Sequence, residues 1–174
     1  MSATNSQATR MAISPWKQLL MNALESNSHL KHSTFFQLAT IGTNGRPSNR
    51  TVVFRGFQDN TDKIQINTDG RSRKIEELKH CSSGEQREKS WFASSLRSRL
   101  QYLGPNPGLP CLSEETQREI SLDPSTGPVD AFCLLILDPD QVDYLNLKSN
   151  LRLTYKSSVS ATAEKSWSVE RVNP

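Results

Sequence analysis

Asn49–Lys74 reads NRTVVFRGFQDNTDKIQINTDGRSRK, and the fold turns on how it is read. Two short runs, Thr51–Phe54 and Lys63–Thr68, are rich in β-branched and aromatic residues, with polar Gln58–Asp62 between them. This pattern predicts two strands joined by a turn. In the second run Ile64 and Ile66 face one way and Lys63, Gln65 and Asn67 the other. The run leads through Asp69-Gly70 into Arg71-Ser72-Arg73-Lys74, and Ile75 and Leu78 follow at helical spacing. A strand that ends in a Gly turn and opens a helix with cations suits a phosphate. The free N–H groups and dipole of the first turn favour an anion, and Arg73 and Lys74 add charge-assisted hydrogen bonds. A solvated basic turn before a surface helix has the same spacing, which leaves both readings open.

Upstream, Ser14-Pro15-Trp16 predicts a helix start, with Ser as N-cap and Pro at the first helical position. Trp16, Leu19, Leu20, Ala23 and Leu24 then share a face that suits packing on a sheet. Thr34–Ile41 reads as a strand, Asn44-Gly45 as its hairpin turn and Asn49–Phe57 as the partner strand. Arg50 and Arg55 stand an odd number of positions apart, so a flat strand points them to opposite sides. Both reach one ligand only if the strand twists strongly or the ligand sits at an edge or subunit junction. The alternative is charge that guards an edge strand.

Downstream, a helix from Ser72 to about Lys79 gives way to the polar joint His80–Glu85. A second helical pattern runs from about Glu85 to Leu103. Trp91, Leu96, Leu100 and Leu103 form its apolar side, and Arg87, Lys89, Arg97 and Arg99 a basic one, read as a solvated face. Gly104–Pro110 (GPNPGLP) is a loop by its prolines, Ser113–Glu119 a short helix and Leu122–Pro128 a second loop. Ala131–Asp138, the most apolar run, predicts a buried strand. Gln141–Leu147, Leu151–Lys156 and Ser166–Val172 complete the strands, with a tight turn at Lys148–Asn150 and a Ser/Thr/Ala loop at Ser157–Lys165. The class is α+β: a mainly antiparallel sheet or small barrel with peripheral helices.

Composition narrows the function. The chain has 174 residues, 34% hydrophobic and 22% charged, with net charge +3. The length fits one domain, taken as residues 14–174 after a disordered tail over 1–13. The apolar fraction is lean for a core of this size, and the mild positive charge suits an anionic small ligand. Cys81, Cys111 and Cys133 form no CxxC pair, and His29, His32 and His80 complete no zinc pattern. Neither a disulfide framework nor a metal is expected, and Cys133 reads as a small buried residue. No run approaches the roughly 20 apolar residues of a membrane span. The tail, rich in Ser, Thr and Ala with Arg10 and no acid, is also open to reading as an organellar transit signal. The expected compartment is therefore the cytoplasm, with plastid or mitochondrion as the alternative. Trp91 and Phe92 lie on a helix face rather than a strand platform, which argues against nucleic acid.

Taken together, several motifs resemble the pyridoxamine 5′-phosphate oxidase family, most closely its shorter plant and cyanobacterial FMN-binding branch. They are Arg50–Arg55 (RTVVFR), Asn67-Thr68, Ser72-Arg73-Lys74, Arg152 and the closing Trp167–Pro174, with ATIGTNGRPSNRTVVFRG typical of that branch. The resemblance covers nearly all of Ser14–Pro174. It implies a split β-barrel, a homodimer and FMN at the subunit interface. It also implies roles: Arg50 on the phosphate side of FMN, Arg55 near flavin and substrate, and Asn67 and Thr68 on the isoalloxazine. Ser72, Arg73 and Lys74 would hold the phosphate, and Arg152 would reach the flavin from the partner subunit. Tyr144 aligns loosely with a flavin-packing tryptophan. The implied chemistry is oxidation of an amine of the vitamin B6 class, with hydride passing to the flavin and dioxygen reoxidising it.

Two departures qualify the resemblance. Where family oxidases bind the substrate phosphate with a Tyr…Arg…Ser set and a late Arg-x-His, this chain has Trp91, Ser95 and Arg99, then Leu147 and Ser149. Each missing charge-assisted bond removes about 1.5–3 kcal/mol. The family also places two barrel strands, one with an FMN-contacting glutamine, after the helix that begins near Ser72. Between Lys79 and Gln86 there is no room for strands of about 5–6 residues each. The expectation is an incomplete barrel that keeps the phosphate-gripping half of its site, with a non-catalytic flavin module or an inactive truncated isoform as the alternative function.

Overall fold

The computed structural model describes residues 14–78, 84–110, 121–161 and 164–174. The strands fall into two antiparallel sheets, of four and three strands, and neither closes on itself. By internal contacts the chain divides into two units, Thr34–Phe57 with Ile64–Leu137, and Met1–Ser33 with Gln58–Lys63 and Asp138–Pro174.

In the first unit, β1 (Phe35–Ile41), β2 (Pro47–Phe57), β3 (Ile64–Asp69) and β4 (Phe132–Leu137) pair in that order. The β1–β2 turn needs Gly45 at φ +74, and the Asn44 side chain accepts the Arg46 N–H at 3.0 Å. The β2–β3 register shifts between Phe54 and Phe57, where Gly56 takes φ +122. Register sets the faces. Leu38 opposes Arg50, Phe54 opposes Ile66 and Ile66 opposes Leu135, so the buried Leu38, Val52, Ile66 and Leu135 share one side. Leu78 packs against them from α2 (Arg73–Leu78).

The opposite side carries a second cluster, in which Trp91 and Phe132 are fully buried and Tyr102 nearly so. Ring centroids lie 5.1 Å apart for Trp91–Phe132 and 5.0 Å for Tyr102–Phe132, both edge-to-face. The expected continuous helix over Glu85–Leu103 is broken into α3 (Glu85–Ala93), α4 (Leu96–Leu100) and a 3₁₀ turn (Gln101–Leu103). Ser94 is extended, and the Ser95 hydroxyl accepts the Ser98 N–H at 3.2 Å as a new N-cap. Apolar spacing does not register such a restart, because Ser at a cap competes with the helix it interrupts. Three long side chains pin the 122–132 loop. Trp91 Nε1 donates to Thr126 O (2.8 Å), Arg99 to Pro124 O (2.9 Å) and Arg87 Nε to Phe132 O (2.8 Å).

Cys133 is fully buried in β4. It is also disulfide-bonded, contrary to the expectation of no disulfide, and its partner lies outside the described residues. Spacing along the chain is no guide to which cysteines a sheet brings together. The short helix expected over Ser113–Glu119 also lies outside the described residues.

In the second unit, α1 (Pro15–Ser26) starts with Pro15 in its first turn. Ser14 gives its carbonyl to Gln18 N–H (3.2 Å), but its hydroxyl does not cap the helix as expected. The buried Trp16 meets Trp167 edge-to-face at 5.6 Å, and Trp167 Nε1 donates to Asp62 at 2.9 Å. Trp167 lies on β7 (Lys165–Val172), which pairs with β6 (Leu151–Val159), itself paired with β5 (Gln141–Asn146). The expected Ser157–Lys165 loop is shorter than read. Ser157–Val159 continue β6, and the Ser158 and Ser166 hydroxyls hydrogen-bond across the ladder at 2.8 Å. Among the described residues no helix is long and apolar enough to cross a membrane.

Candidate functional site

A cavity of about 320 Å³ opens in the first unit. On one side it is walled by Thr51, Val53 and Arg55 of β2 and by Asn67 and Asp69 of β3, which alternation places on the sheet face away from Leu38 and Ile66. The turn below supplies Ser72 and Lys74. The far wall is Gln101, Tyr102, Pro105 and Pro107. The volume sits at the small end of the roughly 300–1,000 Å³ typical of ligand sites.

Two cations face this space. Lys74 donates to the Ser72 hydroxyl at 2.9 Å, and that hydroxyl donates to Asp69 O at 2.6 Å. Burial, and then the nearby charge of Arg50, push the Lys74 pKa below its ordinary value. Arg55 is exposed and makes no hydrogen bond or ion pair among the described residues. An anion placed here relieves the Lys74 penalty and recruits Arg55, so the donors present fit a phosphate-bearing ligand.

Arg50 points the other way. It donates through Nη2 to Glu77 (2.7 Å), through Nη1 to the Thr40 hydroxyl, and lies near Leu38 O (3.4 Å). The Thr40 hydroxyl also donates to Glu77 at 2.5 Å. These contacts, Thr40 first and then Arg50, hold the Glu77 carboxyl below the usual range. Arg73 is exposed and does not line the cavity. The structure thus brings Arg55, Asn67, Thr68, Ser72 and Lys74 together and leaves Arg50 and Arg73 outside. Arg152 lies on the three-stranded sheet, where its Nη2 meets Asp143 at 2.6 Å.

Asn67 lines the cavity, yet its amide is bound to Ser90 of α3 and to Ser94 just beyond it. Its Nδ2 donates to Ser94 at 3.0 Å and its Oδ1 accepts from Ser90 at 2.6 Å. Sequence reasoning missed Tyr102, whose hydroxyl burial pushes up to about 12, and it missed Arg71. Arg71 pairs with Asp69 at 2.7 Å and reaches the far wall at Gly104 O, Asn106 Oδ1 and Tyr102 O. The available signal was GPNPG directly after a helix, a rigid loop that can wall a site. Arg99, aligned with a substrate ligand, is 7% exposed, bonded to Pro124 O and stacked 5.6 Å from the Trp91 ring.

A family profile described as pyridoxamine 5′-phosphate oxidase, FMN-binding domain, matches residues 13–103, more than half of the chain. The chain belongs to that family. Members of this pyridoxamine 5′-phosphate oxidase family bind FMN through the matched domain. The chain is 55% identical to pyridoxine/pyridoxamine 5′-phosphate oxidase 2 of Arabidopsis thaliana, with 93% of this chain and 98% of the relative covered. That match runs over 194 residues, whereas 93% of 174 is about 162, so roughly 30 residues of the relative have no counterpart here. Among solved structures, a pyridoxamine 5′-phosphate oxidase-related, FMN-binding protein of Nostoc punctiforme is 34% identical with TM-score 0.83, covering 94% of this chain and 100% of its own. PhzG of Burkholderia lata, 16% identical with TM-score 0.68 over 94% of this chain and 98% of its own, shares the fold.

Proposed function

We propose that this protein holds FMN with its phosphate against Lys74, Ser72 and Arg55, and that it works as an oxidase on a small amine of the vitamin B6 class. The observation that carries the reading is the convergence of half-buried Lys74, Ser72 and exposed Arg55 on one cavity. When bound, FMN supplies the hydride acceptor and passes the electrons to dioxygen. The chain's own residues bind and orient. Lys74 and Arg55 neutralise the phosphate, Ser72 and Thr51 offer hydroxyls, and Pro105 and Pro107 form an apolar wall. We further propose a homodimer, in which Arg152 serves the partner's site, and we place the missing stretch of about 30 residues at the joint between α2 and α3.

A second reading is favoured by Arg99. Its guanidinium is buried against Trp91 and Phe92, so it is not available to a substrate phosphate. On that reading the protein binds FMN without oxidising a phosphorylated vitamer. One experiment separates the two. The purified chain is mixed with FMN and desalted, its visible spectrum is recorded, and peroxide is measured with pyridoxamine 5′-phosphate. Retained flavin bands with amine-dependent peroxide support the oxidase, and retained bands without peroxide support the second reading. A colourless protein refutes both.

A further inference from the structure

Arg71 spans the two walls of the cavity. Its backbone N–H and Nε donate to Asp69 Oδ1 (2.8 and 3.0 Å) and its Nη2 to Asp69 Oδ2 (2.7 Å). The outer edge of the same fork donates from Nη1 to Gly104 O (3.1 Å) and Asn106 Oδ1 (2.9 Å), and from Nη2 to Tyr102 O (3.3 Å). Asp69 belongs to the β3 wall and Tyr102 to the far wall. Among the described residues no other side chain joins the Asp69–Lys74 turn to the Tyr102–Asn106 segment by so many bonds. Its charge is neutralised by Asp69, and Arg71 itself does not line the cavity.

We infer that Arg71 is a positioning residue, a latch that holds the Gln101–Pro107 loop across the cavity and so sets how long an anionic cofactor stays bound. The inference rests on the reading that the cavity holds FMN. It differs from a charge role in one respect. A charge that merely attracts the phosphate would be replaced by lysine, whereas a latch needs a planar fork with donors on two edges, which an ammonium lacks.

The test uses the full chain as wild type, Arg71→Gln, Arg71→Lys and Asn106→Ala. FMN release is followed by flavin fluorescence after dilution, and backbone hydrogen exchange over residues 101–109 is measured without FMN. Arg71→Gln is expected to speed release about tenfold or more, the size of one lost charge-assisted bond. Arg71→Lys should match it, and Asn106→Ala should shift release the same way by less. Unchanged release in Arg71→Gln, or wild-type release in Arg71→Lys, overturns the latch. If Arg71→Gln does not fold, Asn106→Ala carries the comparison, and an unchanged rate there is equally fatal. A wild type that takes no FMN refutes the functional reading instead. Exchange then decides on the latch alone: faster exchange of 101–109 in the variants supports it, and unchanged exchange overturns it.

Discussion

Strand β2 carries an arginine on each face, and the two have opposite fates. Arg50 meets Glu77, Thr40 and a backbone carbonyl on the side where Leu38 and Ile66 pack. Arg55 looks into a cavity with Lys74 and forms no ion pair among the described residues, the acid in that wall, Asp69, being paired with Arg71. Both are cations in one strand, and composition does not tell them apart. A half-buried charge with its partners in place is architecture. One left short of partners beside a cavity marks where a ligand belongs.

That contrast can be broken at several points. The largest effect is expected for Trp91→Ala, which removes the cluster beneath the cavity face and should cost about 3–5 kcal/mol in urea unfolding. If the cost is far smaller, that side of the sheet is not independently packed. Next comes Lys74→Met against Glu77→Gln. Lys74→Met should weaken FMN binding about 10–150-fold, the equivalent of about 1.5–3 kcal/mol, without lowering the melting temperature. Its pH dependence has a definite sign. The folded pKa of Lys74 lies below 10.5, so the unfolded chain binds more protons in that window and stability rises with pH there. FMN affinity should fall over the same range, and a titration by fluorescence reads it. Glu77→Gln should do the reverse, lowering stability without changing FMN affinity. The lowered pKa of Glu77 gives stability that is present above the ordinary 4.5 and lost as pH falls through the folded value. Melts from pH 7 down to pH 3 should therefore show a flatter acid limb in the variant. The smallest effect is expected for Ser90→Ala, which frees one side of the Asn67 amide at about 0.5–1.5 kcal/mol.

The strand pattern was legible because alternation and turn residues are local. Asn44-Gly45 announced the first hairpin, and the run from Ala131 announced β4. The helix restart at Ser95 was hidden, since the apolar spacing continues across it. The cavity was half legible. Ser72 and Lys74 follow from the turn, and alternation put Arg50 and Arg55 on opposite faces. Which face would receive a carboxylate depended on Glu77 coming round from α2, a contact across 27 positions that no local pattern encodes. The far wall was invisible for the same reason: Arg71 finds Gly104 and Asn106 more than 30 positions away.

The register of β4 has a consequence in time. Strands β1, β2 and β3 are joined by short turns, and their pairing closes only small loops. Strand β4 pairs Phe132 with Asp69 and Leu137 with Ile64, and so must return across the helices, the proline-rich loop and the 122–132 segment. Loop closure of that length has to be met before its contacts reward it. The three-stranded meander is therefore expected to form first, with Ile66 fully enclosed only once β4 pairs. The cavity's far wall, whose Tyr102 ring packs edge-to-face on Phe132 at 5.0 Å, is expected to take shape last in this unit.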